Sequence, residues 1–337
     1  MAKVAINGMG RIGRAALKVI LENPALDLVA VNDIAPIDNF VYLLKYDSVY
    51  GRYDKTVEAV DGNLVIDGKE IAFLSERDPS DLPWAEMGVE LVFESTGFFT
   101  KTEGAQKHID AGATHVVISA PTKSEDLPTV VHGVNTDLGL GVSILSTASC
   151  TTNSLTPVVE IIGRRVGIEK ALMTTVHGYT STQSIVDGPH KSMRRGRTAA
   201  QNIVPTTTGA AVATTLALPE YKGNFDGVAL RVPVPVGSIS DITFVTSRDT
   251  SVEEINNILR EEAASDRYKG IFEASDEQLV STDIIQNPHA SIADLEMTRV
   301  VGGNLVKIMA WYDNEWGYTH QMVRQALALL GEKPVTA

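Results

Sequence analysis

The stretch "TASCTTNSLTPVV" holds Cys150, the single cysteine of the 337-residue chain. One cysteine can make neither an internal disulfide nor a thiolate-rich zinc site, so its own reactivity is the question. Ser149, Thr151, Thr152, Asn153 and Ser154 offer helix N-cap chemistry around it, and Leu155, Val158, Val159 and Ile162 recur behind it at helical spacing. Cys150 is therefore expected at a helix N-terminus. There the helix dipole and open N–H groups stabilise a thiolate, and its pKa should fall below about 8.5. A thiolate nucleophile also needs a base. Of the seven histidines, His177 is the best placed, ending the strand-like run "ALMTTVHGY" ahead of a long polar segment.

That segment carries "HKSMRRGR", which packs His190, Lys191, Arg194, Arg195 and Arg197 into a short span of an otherwise acidic chain. Further on, "PTTTG" places the Thr206, Thr207 and Thr208 hydroxyls and the Gly209 backbone ahead of another helix, a setting that suits a phosphate. Arg231 lies inside the apolar run "GVALRVPVPV", where a cation is costly to bury unless it meets an anion. The formal charge of -13 argues against nonspecific binding to nucleic acid or anionic membranes. An anionic ligand must therefore be drawn in by these local clusters.

A second constellation opens the chain. "NGMGRIG" sets Gly8, Gly10 and Gly13 in the G-x-G-x-x-G pattern, directly after a strand and at the start of a helix. Asp33 ends the next strand, where a carboxylate would accept hydrogen bonds from an adenosine ribose and repel a 2'-phosphate. NAD is favoured over NADP. A thiolate beside a nicotinamide can add to an aldehyde, and the hemithioacetal can be oxidised to a thioester while a base takes the hydroxyl proton. Two anion-binding clusters favour phosphate over water as the group that then releases the product.

These groups need two scaffolds. The first half alternates "KVAIN", "LDLVAVND", "VELVFES" and "THVVISA" with helical patterns, the rhythm of a parallel sheet covered on both faces, with "VDGNLVIDGKEIAFL" inserted as an antiparallel hairpin. After about residue 150, longer strands such as "EKALMTTVHGY", "FDGVALRVPVPV", "SISDITFVTSR" and "GNLVKIMAWYD" predict a mixed, largely antiparallel sheet. The fold class is α/β: a Rossmann-type doubly wound domain over 1–149, completed by a C-terminal helix over 315–337, and an α+β catalytic domain over 150–314. With 44% hydrophobic and 21% charged residues, the chain reads as soluble and globular. An N-terminus running straight into a strand, without a signal-like segment, leads to an expected cytoplasmic location. No metal is expected.

In order and spacing, "AINGMGRIGR", "LLKYDSVYG", "ESTGFF", "VISAP", "ASCTTNSLTPVV", "TTVHGYT", "RRGRTAAQNIVPTTTGAA", "LRVPVP" and "WYDNEWGY" resemble the phosphorylating glyceraldehyde-3-phosphate dehydrogenase family. The resemblance implies NAD-dependent oxidation of glyceraldehyde 3-phosphate with inorganic phosphate to 1,3-bisphosphoglycerate, in a homotetramer. It implies Cys150 as nucleophile and His177 as base and thiolate partner. Arg11 and Ile12 would meet the pyrophosphate, Asp33 the ribose, Arg77 and Ser119 the neighbouring cofactor surface, and Asn314 the nicotinamide amide. Ser149, Thr151, Thr208, Gly209 and Arg231 would hold the attacking phosphate and the reacting end of the substrate. Thr180, Arg195 and Arg197 would hold the substrate phosphate.

Some positions depart from the family pattern. Ser154 replaces a frequent second cysteine, Met9 stands where Phe is common, and Gly178 follows the base where Ser or Ala is usual. Pro189 is closer to NAD-preferring members, with NADP the weaker alternative. Erythrose-4-phosphate dehydrogenase, a cysteine hydrolase and a noncatalytic NAD-binding regulatory protein are the competing readings.

Overall fold

Six apolar runs within the first 148 residues pair side by side as parallel strands. In the computed structural model, which describes residues 1–332, the chain divides into two compact units: Met1–Ala148 with the chain from Met322 onward, and Ser149–Gln321. The first unit holds an eight-stranded sheet in the order Ile144–Ser146, His115–Ile118, Leu91–Glu94, Ala2–Asn7, Leu26–Asn32, Lys69–Leu74, Asn63–Ile66 and Val57–Val60. Val92 and Phe93 are both fully buried, as are Val116 and Val117. Successive residues on a strand point to opposite faces, so both faces of this sheet are covered.

The sheet winds outward in both directions from Ala2–Asn7, with Leu26–Asn32 on one side and Leu91–Glu94 on the other. The carboxyl ends of Ala2–Asn7 and Leu91–Glu94 therefore flank a topological switch point, where doubly wound sheets bind ligands. Helix Arg11–Leu21 follows the first strand and buries Ala15, Ala16, Leu17 and Ile20. The expected hairpin grows to three antiparallel strands, Val57–Val60, Asn63–Ile66 and Lys69–Leu74. Asp61–Gly62 and Asp67–Gly68 make the two turns with positive φ throughout, the chemistry that two-residue hairpin loops need. The last of the three strands also joins the parallel sheet beside Leu26–Asn32.

The second unit has a seven-stranded mixed sheet in the order Val204–Thr207, Phe225–Val232, Ile168–Gly178, Ser238–Thr246, Leu305–Tyr312, Ser291–Val301 and Phe272–Ser275. Phe225–Val232 ends ahead of Pro233, which has no N–H for a ladder. Helices Cys150–Arg165 and Val252–Ala263 lie against this sheet, which turns Ile242, Phe244, Ile308 and Ala310 inward. The long polar segment after Gly178 contains only a helical turn at Met193–Gly196, fixed by Ser184 N to Arg195 O (3.0 Å) and Gly188 N to Gly196 O (2.8 Å). The closing helix spans Trp316–Leu329, and Gly331 follows it in the left-handed region at φ 74°. Positions 333–337 of the helix expected over 315–337 lie outside the described residues.

Candidate active site

Ser149 is the N-cap of the 16-residue helix Cys150–Arg165, and its Oγ accepts from Thr152 N at 3.1 Å. Cys150 is thereby fixed as the first helical residue. His177 comes from the sheet, one residue before the end of Ile168–Gly178, and its Nε2 lies 3.4 Å from Cys150 Sγ. Arg231 is His177's register partner on the neighbouring parallel strand. Its Nη1 lies 2.5 Å from His177 Nδ1 and donates to Gly178 O at 2.9 Å, while Nδ1 itself lies 2.7 Å from that same oxygen. A Cβ on Gly178 would stand 2.9 Å from Val234 O, so the Ser or Ala usual at this position would need the Val234 backbone to shift.

Tyr312 completes the cluster and was not singled out from the sequence. Its ring meets His177 edge-on at 6.0 Å, and its hydroxyl bonds Thr151 Oγ1 (2.9 Å) and Thr175 Oγ1 (2.7 Å). Ser238, equally unforeseen, bonds Gly178 N through its Oγ (3.3 Å) and donates to Asn314 Oδ1 (3.1 Å), which also accepts from Gly237 N (3.0 Å). Both acceptor bonds fall on Oδ1, so Asn314 presents its amide nitrogen outward from this anchor. Serine and tyrosine in strands carry no motif signal. Only the register across four strands brings them together.

The electrostatics correct one expectation. Cys150 was expected below the ordinary thiol range, but burial pushes its thiol up, against the opposing pull of Arg231, the Thr151 hydroxyl and the backbone N–H groups of the helix start. The N-terminal stabilisation exists, and desolvation exceeds it. Cys150 as a residue nonetheless keeps some accessible surface. His177 is held down to about 3, first by burial and then by the Arg231 charge, with Arg195 adding to it. Both shifts favour the uncharged forms, a thiol beside a neutral imidazole.

The expected anion ligands divide. Arg195 is tied by Nε to Thr206 Oγ1 (3.0 Å) and by Nη2 to Thr207 O (3.3 Å), and its charge is felt at both His177 and Arg231. Thr208 Oγ1 accepts from Ala210 N (3.1 Å) at the start of Ala210–Ala217, with Gly209 as the exposed N-cap. Thr180 bonds Thr182 through its hydroxyl (2.8 Å). Arg197 is turned away into an exposed ion pair with Asp187 (2.7 Å), so its charge is already matched.

In the first unit, Asn7, Gly8, Gly10, Asp33, Arg77, Ser95, Thr96 and Phe99 are among the residues lining a cavity of about 520 Å³. Gly8 has φ 97°, and a Cβ there would stand 2.6 Å from Thr96 N. One on Gly13 would stand 1.9 Å from Gly8 O. A Cβ on Gly10 would meet nothing of the protein within 4 Å, so the space beside it is left for something else. No side chain caps the helix at Gly10, so the N-terminal end of the helix dipole faces the cavity that Gly10 lines without a side-chain cap. Asp33 accepts from Met9 N (2.8 Å) and Ala35 N (3.1 Å), fixing a carboxylate at the mouth. A dinucleotide fits this cradle of glycines, helix N-terminus and carboxylate. The Arg11 side chain pairs with Asp47 (2.5 Å) over the Tyr50 ring. Ser119 donates its N–H to Glu94 O (2.9 Å) at the end of a neighbouring strand.

Two family models match this chain: the glyceraldehyde 3-phosphate dehydrogenase NAD binding domain over residues 2–102 and its C-terminal domain over 149–314. The chain belongs to the glyceraldehyde-3-phosphate dehydrogenase family. Among similar members, the glyceraldehyde-3-phosphate dehydrogenase of Zymomonas mobilis is 48% identical over 327 residues, covering 96% of this chain and 97% of that protein. That of Geobacillus stearothermophilus is 49% identical over 323 residues, covering 95% and 96%. Glyceraldehyde-3-phosphate dehydrogenase 1 of Bacillus subtilis is 48% identical over the same length and the same shares.

Proposed function

We propose that Cys150 is the nucleophile and His177 the base of a phosphorylating, NAD-dependent aldehyde oxidation, the activity that membership of the glyceraldehyde-3-phosphate dehydrogenase family gives this chain. The observation that supports these roles most is the 3.4 Å approach of Cys150 Sγ to His177 Nε2 with Arg231 behind the ring. The imidazole has two neutral tautomers here. With its proton on Nε2 it accepts from Arg231 at Nδ1. With its proton on Nδ1 it donates to Gly178 O, and Nε2 is bare toward the thiol. Only the second can take a proton from Cys150, so an anion that draws the guanidinium off the ring favours the working form.

In that form the sulfur attacks the aldehyde carbon of glyceraldehyde 3-phosphate as Nε2 takes the thiol proton, and the carbonyl oxygen becomes the hemithioacetal hydroxyl on receiving it back. Bound NAD supplies the two-electron acceptor that turns this adduct into a thioester, and His177 accepts the hydroxyl proton. Inorganic phosphate then attacks the thioester carbon, the C–S bond breaks, and 1,3-bisphosphoglycerate leaves as the sulfur regains a proton. Arg195, Thr180 and Arg231 bind the substrate phosphate, with Arg197 only an outer charge. Ser149, the Thr151 backbone, Thr208 and Gly209 bind the attacking phosphate. Gly8, Gly10, Gly13, Arg11, Ile12, Asp33, Arg77 and Ser119 hold NAD, and Asn314 its nicotinamide amide. In the same reading residues 1–149 with the C-terminal segment are the cofactor domain and 150–314 the catalytic domain.

A homotetramer in the cytoplasm belongs to this reading. Leu172, Val228 and Leu305 are 66%, 54% and 41% exposed on one face of the second unit's sheet, an apolar surface suited to another subunit. Among the described residues no helix is long and apolar enough to cross a membrane. Initial rates with glyceraldehyde 3-phosphate, with and without phosphate and with NAD or NADP, test the chemistry. A preference for erythrose 4-phosphate with no phosphate requirement overturns it. Light scattering tests the assembly.

A further inference from the structure

A buried polar belt runs beneath the dinucleotide cleft that neither the motif nor the proposed site accounts for. Asn32 Nδ2 donates to Asn7 Oδ1 (2.7 Å) and to Glu76 O (2.9 Å), and Asn32 Oδ1 accepts from Glu76 N (2.8 Å). Asn7 Nδ2 then donates to Glu94 Oε2 at 2.6 Å. His108 Nε2 meets the same oxygen at 3.0 Å, and Trp84 Nε1 donates to His108 Nδ1 at 3.0 Å. Glu94 Oε1 accepts from both Thr96 N (2.8 Å) and Thr96 Oγ1. Asn7, Asn32, Glu94, His108 and Trp84 are all 3% exposed or less.

The donors and acceptors leave no freedom. Indole N–H can only donate, so His108 Nδ1 must accept, Nε2 must carry the proton, and that proton must go to Glu94. Glu94 thus collects four donors on two oxygens. Three of the belt's members sit at the carboxyl ends of adjacent parallel strands, Asn32 on Leu26–Asn32, Asn7 on Ala2–Asn7 and Glu94 on Leu91–Glu94. The belt meets the cavity through Asn7, Asn32 and Glu76 on one side and through the Ser95–Thr96 turn beyond Glu94. Both residues of that turn line the cavity, Ser95 Oγ is buried there with no partner among the described residues, and Thr96 N is what a Cβ on Gly8 would strike.

We propose that Glu94 is a positioning residue for the cofactor: bonded by Asn7 and His108 from below, it sets the Ser95–Thr96 turn that forms the cleft wall opposite the glycine turn. The inference rests on this cleft binding NAD. Without the carboxylate, the turn loses both Thr96 bonds and must be ordered by the ligand itself, which weakens binding without changing the chemistry on sulfur.

Calorimetric titration of the full-length protein with NAD and with ADP-ribose, paired with steady-state kinetics, tests this. Glu94→Gln keeps the shape and replaces an acceptor with a donor; its dissociation constant for both ligands should rise about tenfold, the effect of one lost charge-assisted hydrogen bond. KM for NAD should rise in step, with kcat at saturating NAD changed less than about twofold. Trp84→Phe and Thr96→Val, each removing one donor, should give smaller rises in the same direction. If Glu94→Gln folds with lowered thermal stability but binds both ligands as the wild type does, the belt is structural only and the proposal is wrong. If Glu94→Gln does not fold, unchanged affinity in both other variants has the same force. Wild-type protein that binds no NAD would instead sink the reading of the cleft.

Discussion

The thiol site and the glycine cleft are built from opposite materials. In the cleft the backbone acts: φ 97° at Gly8, a helix start without a side-chain cap, and an empty space beside Gly10. At Cys150 the side chains act, and they come from residues 27 and 54 positions apart in the chain, joined only by the sheet register. The cleft works by leaving space in front of backbone. The thiol site works by crowding, which neutralises the thiol and the imidazole until a ligand changes their surroundings. A binding surface can be prepared by omission, whereas a reactive pair must be held in tension by its neighbours.

Substitutions that affect one region and spare the other sharpen this contrast. Cys150→Ser should lower the rate of NAD reduction by at least about 10³-fold, since a hydroxyl with a neutral base is a poor nucleophile. NAD binding should be retained, and a joint loss would mean that the two regions are not separable. His177→Asn should cost about 10²- to 10⁴-fold in kcat, the usual worth of a positioned base.

The same variant has a second readout in stability against pH. Burial and Arg231 hold the folded imidazole down to about 3, against 6.5 for a free one, so the unfolded chain takes up the proton first as the solution is acidified. The benefit of a neutral His177 is therefore complete above about 6.5 and drains away toward 3. Melting temperatures measured across that window should fall less steeply in His177→Asn than in wild type. Parallel curves would show that His177 is not held neutral.

In the cleft, Gly13→Ala drives a methyl into Gly8 O and should lose both thermal stability and NAD affinity. Gly10→Ala meets nothing in the protein, so it should lose affinity, by about tenfold, at nearly unchanged stability. Calorimetry and thermal melts on both variants check this. The smallest effect expected is from Asp33→Gly, which should shift the NAD to NADP preference several-fold by removing a carboxylate near the 2' position. An unchanged ratio in kinetic assays would place Asp33 off the ribose.

The legibility of the two regions followed their materials. Gly8, Gly10, Gly13 and Asp33 sit in one short segment of chain, and a local pattern suffices to read backbone geometry. Cys150 was readable because its helix start is local, and His177 because it ends a strand. Tyr312, Ser238 and Glu94 were not, since each acquires its role from a partner on another strand. The direction of the Cys150 shift escaped for the same reason: a helix N-terminus can be read from neighbours in sequence, but desolvation depends on neighbours in space. Arg197 stands among other arginines in sequence, while its ion pair with Asp187 is made only in the fold.

Gly13 is crowded by Gly8 O and Gly8 in turn by the Thr96 backbone, each approached too closely for a methyl group. A change at either has to be accompanied by movement of the turn, the helix or the Thr96 strand end, so no single step in sequence leads away from this arrangement. In descendants of the chain, drift at these two positions is arrested by geometry before selection on catalysis is ever consulted.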